Sequence, residues 1–287
     1  MKVPVIAAAA AGFDRDLERN FAQIASLLDA ARKRGAGLVV LPECALGGYL
    51  READLAGGAA IDLPGALAPD GPEIARLARL AGDLVVCAGY TEAGAAGLHS
   101  SAVCVSGDGI LGHHRKVHLP PAERFAYLPG DGFAAFDTPV GRLGMLICYD
   151  KLFPEAARAL ALDGAEIVCS LAAWPVDRLD PARRVRDDRQ TRHFDLLDQM
   201  RAVENQVVWV TSNQVGRWGR LRFLGSAKIV DPDGVVVART GAREGLACAR
   251  VDAATLIRDT REHIDHLADR RPETYGVRPG AAVAANG

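Results

Sequence analysis

The sequence of 287 residues predicts an α/β fold with two similar halves. Short apolar runs bounded by turn residues are typical of buried strands, and segments with apolar residues every three or four positions are typical of amphipathic helices. These elements follow one order in each half: strand, helix, strand, helix, strand, and then further antiparallel strands. If the two sheets pack face to face, with the helices outside, the result is a four-layer α-β-β-α sandwich.

The first half begins with a short apolar run. An Asp before an apolar-periodic segment and a Gly after it are typical helix boundaries, and Pro suits the first turn of a helix. The predicted elements are a strand at 3–9, a helix from Asp14 or Asp16 to Gly35, a strand at 37–41, a loop at 44–70, a helix opened by Pro72, a strand at 84–90, a hairpin of 100–105 with 110–115, and a strand at 133–137.

The second half repeats this order of elements without a sequence repeat at a fixed period. Its hairpin turns at Asp231-Pro-Asp-Gly234, a strong turn sequence. The predicted elements are a strand at 143–147, a helix at 154–162, strands at 166–171 and 207–212 around a helix near 194–205, a hairpin of 226–231 with 235–239, and a strand at 246–251. We expect residues 1–275 to form a single domain and residues 276–287 to form a flexible tail.

The arginine-rich segment 177–193 contains several aspartates as well. Such compensating charges are typical of a solvated loop or helix start. The alternative is a lid or pocket wall that offers an arginine to an anionic substrate. Both interpretations stay open at this stage.

Composition excludes several classes of function. A net charge of −2 gives no reason to expect nucleic acid or a membrane surface as partner. The apolar start resembles a weak secretory signal, but a helix follows at once and a first buried strand is preferred. The six cysteines form no C-x-x-C pair and no zinc-like spacing, which favours the cytoplasm.

Cys148 lies in a turn between a predicted strand and a predicted helix. The strand is 143–147, and Pro154 suits the first turn of the helix. Open α/β sheets build ligand sites at such turns. Backbone N–H groups near a helix start can lower a thiol's pKa or hold an oxyanion. Cys148 is therefore either a nucleophile or an ordinary buried cysteine.

A cysteine nucleophile needs a base, and two kinds of side chain qualify. His113, His114 and His118 cluster at the end of one predicted strand. Glu43 follows the strand at 37–41, at the position that Cys148 occupies in the other half. Lys116 is also at a strand end, where its charge is expected to lower the thiol's pKa and stabilise an oxyanion.

Three stretches together resemble the nitrilase superfamily of carbon–nitrogen hydrolases: Leu41-Pro-Glu43, Arg115-Lys116-Val-His-Leu119, and Cys148-Tyr-Asp150 with Phe153-Pro-Glu155. They occur in the family's order, and the resemblance covers nearly the whole chain. It implies an α-β-β-α sandwich with Glu43 as general base, Cys148 as nucleophile and Lys116 as oxyanion stabiliser. It further implies that Glu123 orients the lysine and the substrate amine, and that neither a metal nor an organic cofactor is required.

The resemblance also narrows the substrate class. Tyr149-Asp150 after the cysteine is similar to the amidase and carbamoylase branches, whereas true nitrilases more often have Trp-Glu there. A small amide or N-carbamoyl compound is therefore favoured over a nitrile, and a catalytically silent binding module is a further alternative. Lys151 and the arginines of 183–192 leave a carboxylate-bearing substrate open.

The expected partners are a small-molecule substrate and further copies of the chain. Aromatic side chains are expected to line the substrate pocket, where the Tyr149 N–H would also hold the oxyanion: Tyr49, Phe125, Tyr149 and Trp174. The resemblance implies a homodimer or a larger homo-oligomer, and the segment 263–275 resembles one that crosses onto a partner subunit.

Overall fold

The computed structural model describes residues 3–51 and 62–275. Part of the predicted loop at 44–70 and the whole predicted tail at 276–287 lie outside the described residues. The helices are α1 (Leu17–Arg32), α2 (Pro72–Ala81), α3 (Pro154–Leu162), α4 (Arg189–Asn205) and α5 (Ala253–His263). The strands are β1 (Val5–Ala11), β2 (Ala36–Val40), β3 (Val85–Gly94), β4 (Gly97–Ser106), β5 (Gly109–Arg115), β6 (Ala135–Thr138), β7 (Gly141–Ile147), β8 (Ile167–Ala172), β9 (Val208–Gln214), β10 (Arg217–Trp218), β11 (Leu221–Arg222), β12 (Lys228–Val230), β13 (Val236–Arg239) and β14 (Gly245–Arg250).

Two sheets form the centre of the molecule. One has the order β14-β1-β2-β3-β4-β5, and the other has the order β13-β12-β9-β8-β7-β6. They are joined where β1 pairs with β9 over two residue pairs, Ala10 with Asn213 and Ala11 with Gln214. The strands β1, β2 and β3 are parallel, as are β7, β8 and β9. Each sheet therefore presents the carboxyl ends of its parallel strands at one edge.

Side-chain alternation along the strands divides the core into layers. On β1, Ile6, Ala8 and Ala10 face the core between the sheets, whereas alternate alanines pack with α1 and α2. On β7, Met145 faces the core between the sheets and Leu146 packs under α3. Strands buried on both faces read as continuous apolar runs. The predicted four-layer α-β-β-α sandwich is confirmed.

Several boundaries differ from the predicted ones. Asp16, rather than Asp14, caps α1, because its side chain accepts a hydrogen bond from the Arg19 N–H. The helix α4 begins before the predicted start at 194, because Asp188 caps it at Arg189. Polar residues on the buried side of α4 interrupt the regular spacing of apolar residues by which an amphipathic helix is recognised. The helix α5 and the short β10–β11 pair were not predicted. Within the described residues, no helix combines the length and apolar character needed to span a bilayer.

Leu160 gives a test of the layer between α3 and the second sheet. It is fully buried and packs against Gly144, where an added Cβ would lie 2.9 Å from its Cδ1 atom. We expect Leu160→Ala to lower the free energy of unfolding by about 2–5 kcal/mol, because it opens a cavity. Leu162→Ala, on an exposed position of the same helix, is the control and is expected to change it by about 0.5 kcal/mol or less. Equal losses in urea unfolding would contradict this packing.

Candidate active site

The carboxyl ends of three strands meet at one edge of the sandwich. Cys148 directly follows β7, Ala173 directly follows β8, and Glu43 follows β2 after two residues. The Ala173 N–H donates to Glu43 Oε2 at 2.9 Å, and Gln214 Nε2 donates to the Glu43 carbonyl at 3.0 Å. Both hydrogen bonds join the sheet that contains β8 and β9 to the sheet that contains β2. The joint between the sheets therefore fixes Glu43.

Gly89 allows the chain at Glu43 to lie directly on β3. A Cβ at Gly89 would be 2.6 Å from the Cys44 N atom and 2.8 Å from the Glu43 Cα atom. Any side chain at this position would displace the backbone that carries the glutamate. The close approach brings the Glu43 carboxylate, which is 1% exposed, into the interior.

Lys116 is fully buried between two carboxylates. Its Nζ atom lies 2.7 Å from Glu43 Oε1 and 2.7 Å from Glu123 Oε1. Burial acts to lower the pKa of Lys116, but the charges of Glu123 and Glu43 outweigh it and hold that pKa above its ordinary value. Lys116 is therefore a protonated, fixed cation inside the protein.

Glu123 lies on a short 3₁₀ turn and holds the lysine from the opposite side. Its Oε1 atom also accepts a hydrogen bond from the Tyr49 hydroxyl at 2.6 Å. Its Oε2 atom is buried and has no hydrogen-bond partner among the described residues. Burial, opposed by Lys116, raises the pKa of Glu123 to about 7. An unpartnered buried carboxylate oxygen is costly unless a ligand satisfies it.

Cys148 adopts a left-handed backbone conformation, with φ at 47°. This is uncommon for a residue with a side chain, and it turns the chain sharply from β7 into the 3₁₀ turn Cys148–Leu152. Burial and the charge of Glu43 raise the thiol's pKa, whereas Lys116 and a hydrogen bond from the Ala173 N–H lower it less. Lys116 thus lowers the thiol's pKa as expected, but burial and Glu43 outweigh it, so the pKa lies above its ordinary value rather than below it.

Asp150 ties the cysteine turn to the segment that carries Lys116. Its carboxylate accepts hydrogen bonds from the His118 N–H at 2.8 Å and the Ile147 N–H at 3.1 Å. The rings of His118 and His114 lie 2.9 and 3.4 Å from its oxygens. Burial acts to raise the pKa of Asp150, but these histidines hold it below its ordinary value. His113 instead bonds to Glu92, at 2.7 Å.

A cavity of about 630 Å³ opens above Cys148. Its walls are mostly apolar, with a few charged and polar side chains from the segment 177–190. The lining residues are Tyr49, Leu50, Pro120, Pro121, Ala122, Cys148, Tyr149, Leu152, Ala173, Trp174, Pro175, Val176, Asp177, Arg178, Leu179, Arg189, Gln190 and Leu221. No histidine is among them, and the side-chain charges that act most strongly on the Cys148 thiol are those of Glu43, Lys116 and Glu123.

The structure brings three of the four expected pocket aromatics to this cavity: Tyr49, Tyr149 and Trp174. Phe125 is not among the lining residues and is 85% exposed. The reason is its turn: Glu123 points inward to Lys116, so Phe125 points outward. Lys151 is buried behind the wall rather than in it. The segment 177–193 is partly the start of α4 and does supply part of the wall.

Sequence reasoning missed the backbone of Ala173 and the side chain of Gln190. The strand-end rule that selected Glu43 and Cys148 also applies to Ala173, since it directly follows β8. Gln190 had no such signal, because it reaches the cavity from the first turn of α4. Among the described residues, no group of His, Cys, Asp and Glu side chains is arranged to hold a metal ion.

Asp150 offers a stability test of this arrangement. We expect Asp150→Ala to lower the free energy of unfolding by about 3 kcal/mol or more, because it leaves the buried Ile147 N–H and the half-buried His118 N–H without an acceptor. Asp137→Ala is the control, since Asp137 is 86% exposed and forms a surface pair with Arg142. It is expected to cost about 1 kcal/mol or less. A small loss for Asp150→Ala in urea unfolding would refute the linking role.

Comparison with known proteins identifies the family of this chain. The sequence model of the carbon–nitrogen hydrolase family matches residues 5–261. A nitrilase of Pyrococcus abyssi is 34% identical over 264 residues, which cover 90% of this chain and 93% of that protein. An N-carbamoylputrescine amidase of Arabidopsis thaliana is 31% identical, with 91% of this chain and 90% of that protein covered.

A solved structure is similar over almost the whole length. It is an amidase of Nesterenkonia sp. AN1, in a Glu-to-Gln variant with the acetamide moiety of fluoroacetamide added covalently at the active-site cysteine. The TM-score is 0.77 at 25% identity, with 95% of each chain covered. With a family match that spans most of the chain and the same fold, this protein belongs to the carbon–nitrogen hydrolase family.

Proposed function

We propose that this enzyme hydrolyses the C–N bond of a small amide or N-carbamoyl compound through a thioester on Cys148. The observation that carries the proposal is the buried set of Glu43, Lys116 and Glu123 beside a cysteine that opens on a cavity. Burying three ionisable groups together is expensive, and the cost is typical of a site built for chemistry.

Glu43 is the proposed general base. The Ala173 N–H contacts both Glu43 Oε2 and the Cys148 thiol, so the two reacting groups are neighbours across one donor. Because burial keeps the resting thiol protonated, the proton has to leave as the sulfur attacks. Glu43 receives it, and the Cys148 sulfur bonds to the carbonyl carbon of the substrate.

Two groups are proposed to stabilise the oxyanion that forms when the sulfur attacks the carbonyl carbon. One is the Lys116 ammonium, which is already fixed by its two carboxylates. The other is the Tyr149 N–H, since the first N–H groups of a helical turn have no partner within the turn. Donors that are oriented before the reaction stabilise charge most effectively, because they need not reorganise.

Glu123 is proposed to hold the substrate's amine. Its free Oε2 atom supports this role, since an amide N–H would supply the missing hydrogen bond. Collapse of the tetrahedral intermediate breaks the C–N bond, and Glu43 returns its proton to the leaving ammonia or amine. Glu43 then takes a proton from water, which attacks the thioester carbon. Collapse of this second tetrahedral intermediate breaks the C–S bond and releases the acid, and Glu43 returns its proton to the Cys148 thiolate.

The same oxygen favours an amide over a nitrile. A nitrile carries no N–H that could bond to Glu123, so the unpartnered oxygen would stay unsatisfied in the substrate complex. Nitrile hydrolysis is the alternative, and it has the support of the nitrilase from Pyrococcus abyssi. A silent binding module is the remaining alternative.

For the pocket, we propose that Tyr49, Tyr149 and Trp174 contact the substrate, because all three line the cavity. We do not assign this role to Phe125. The arginines that reach the cavity are Arg178 and Arg189, and Arg189 is paired with Asp177. This pairing weakens the case for a carboxylate-bearing substrate.

We further propose that residues 1–275 act as one catalytic domain in a cytoplasmic homodimer or larger homo-oligomer. All six cysteines are free thiols, as expected in a reducing compartment. Apolar side chains, each more than a third exposed, lie on the neighbouring α3 and α4 and the turn before them: Leu152, Leu162, Leu196 and Met200. A monomer in light scattering with full activity would count against the oligomer.

The nucleophile is tested by substitution at Cys148. We expect Cys148→Ala and Glu43→Gln each to lower kcat for ammonia release by about 10³-fold or more, because each removes a group that acts in the same step. Cys248→Ala is the matched control, since Cys248 lies on β14 away from the cavity. Ammonia release is measured with a panel of amides, N-carbamoyl amines and nitriles as substrates.

Turnover of nitriles alone would favour the nitrilase alternative. If none of the substrates is turned over, the binding module is favoured. Activity that survives in Cys148→Ala would remove the nucleophile assignment. Activity that survives in Glu43→Gln but is lost in His118→Ala would transfer the base to the histidine.

A pH profile tests Glu123. Its pKa is raised to about 7, and only the ionised carboxylate offers both oxygens as acceptors. We therefore expect kcat/KM to rise with pH through about 7. Glu123→Gln should lower the maximum and remove this rise, because an amide does not titrate. A rise that persists unchanged in Glu123→Gln would assign it to another group.

A further inference from the structure

A second buried charge cluster lies behind the cavity wall. It consists of Lys151 on the cysteine turn, Asp198 on α4 and Lys228 on β12, all fully buried. The Lys151 and Lys228 Nζ atoms lie 2.8 and 2.6 Å from the two Asp198 oxygens. Thr211 and Trp209 each donate to Asp198 Oδ1 at 2.9 Å. Every oxygen of this carboxylate is therefore satisfied.

The cluster touches the wall of the active site through aromatic rings. The Lys151 ammonium lies 3.3 Å from the ring centre of Phe194 and 5.0 Å from that of Trp174. Trp174 lines the cavity, and its Nε1 donates to Gln190, another lining residue, at 3.0 Å. A desolvated cation on an aromatic face is a strong contact. Lys151 thus holds the cysteine turn and the wall together.

Two ammonium groups share a single fully buried carboxylate. Asp195, which is one-quarter exposed, lies 3.1 Å from Lys228 and compensates that lysine in part. Lys151 depends on Asp198 alone for a carboxylate within ion-pair distance among the described residues. Its charge is therefore the less compensated of the two.

We propose that Lys151 is a positioning residue whose ammonium, held between Asp198 and the rings of Phe194 and Trp174, keeps the Cys148 turn in its reactive conformation and favours the ionised sulfur. This proposal rests on the proposed role of Cys148 as nucleophile. The residue does not touch the substrate, since it is buried behind the cavity wall.

The pKa of Lys151 supports a pH-sensitive role. Burial and, to a lesser degree, Lys228 lower it to about 8, and Asp198 opposes them. The ionised form of Cys148 raises it. Such coupling is reciprocal, so protonated Lys151 favours the ionised sulfur by the same free energy. The charged and titratable groups around Lys151 are Cys148 and Asp150 on its own turn, Asp195, Asp198 and Arg201 on α4, and Lys228 on β12.

The consequence is a loss of Cys148 reactivity on the alkaline side. Below about 8, Lys151 is charged and holds the turn. Above that value it becomes neutral, loses its attraction to Asp198 and to the rings, and no longer favours the ionised sulfur. The alkylation rate of Cys148 should therefore stop rising, or fall, above about 8, although a free thiol becomes more reactive there.

The experiment measures the alkylation rate of Cys148 by iodoacetamide as a function of pH, followed by mass spectrometry of the intact folded protein. Lys151→Arg keeps a charge at every pH used, so the rate should keep rising. Lys228→Met removes a repelling charge from Lys151 and should move the break to higher pH. Arg258→Met, an exposed position on α5, is the control and should leave the profile unchanged.

Steady-state kinetics separate positioning from binding. We expect Lys151→Met to lower kcat by about 100-fold with a smaller change in KM, because a displaced nucleophile turn affects the reacting geometry most. Lys151→Arg should recover most of this loss, and its kcat should persist at alkaline pH.

The outcomes distinguish this proposal from the proposed function. If Cys148→Ala retains the turnover of the wild type, the nucleophile assignment fails. If Cys148 is reactive but its wild-type alkylation rate rises with pH without a break, the role of Lys151 is overturned. The same holds if the break lies at the same pH in the wild type, Lys228→Met and Lys151→Arg. Should Lys151→Met not fold, the wild-type, Lys151→Arg and Lys228→Met profiles decide the matter alone.

Discussion

The buried ammonium of Lys116 is the interaction on which the site depends. A lysine without exposure is stable only with carboxylates in contact, and Glu43 and Glu123 supply them at 2.7 Å each. The three charges therefore require one another. Burial, and to a lesser degree the charge of Glu43, raises the pKa of both Cys148 and Glu123. The thiol accordingly rests in its neutral form and needs a base.

The sandwich explains how these groups meet. Parallel strands in both sheets end at one edge, and the β1–β9 joint places the two edges next to each other. The left-handed backbone of Cys148 turns its side chain out of the sheet towards the cavity. Asp150 stabilises that turn from one side, and Lys151 from the other. The nucleophile turn is thus supported by carboxylates on the cysteine turn and on α4.

Much of the fold follows from local pattern. Short apolar runs identified the central strands, and Pro72 and Pro154 located the starts of α2 and α3. Patterns placed the start of α4 too late, because its buried face is polar with Asp198 and Arg201. They also missed the β10–β11 pair, which is very short. The missed helix start at Arg189 also concealed Gln190, which reaches the cavity only through the packing of α4.

The sequence by itself determined the chemical groups: Glu43, Lys116 and Cys148 at strand ends, in an order that identifies the family. It determined the α/β class as well, because strand and helix periods are local properties. Only the tertiary structure decided which groups meet. His118 and Cys148 both lie at strand ends, yet the histidine bonds to Asp150 and the cysteine faces the cavity. The net charge around a buried group also depends on every neighbour, so the raised pKa of Cys148 could not be read from Lys116 alone.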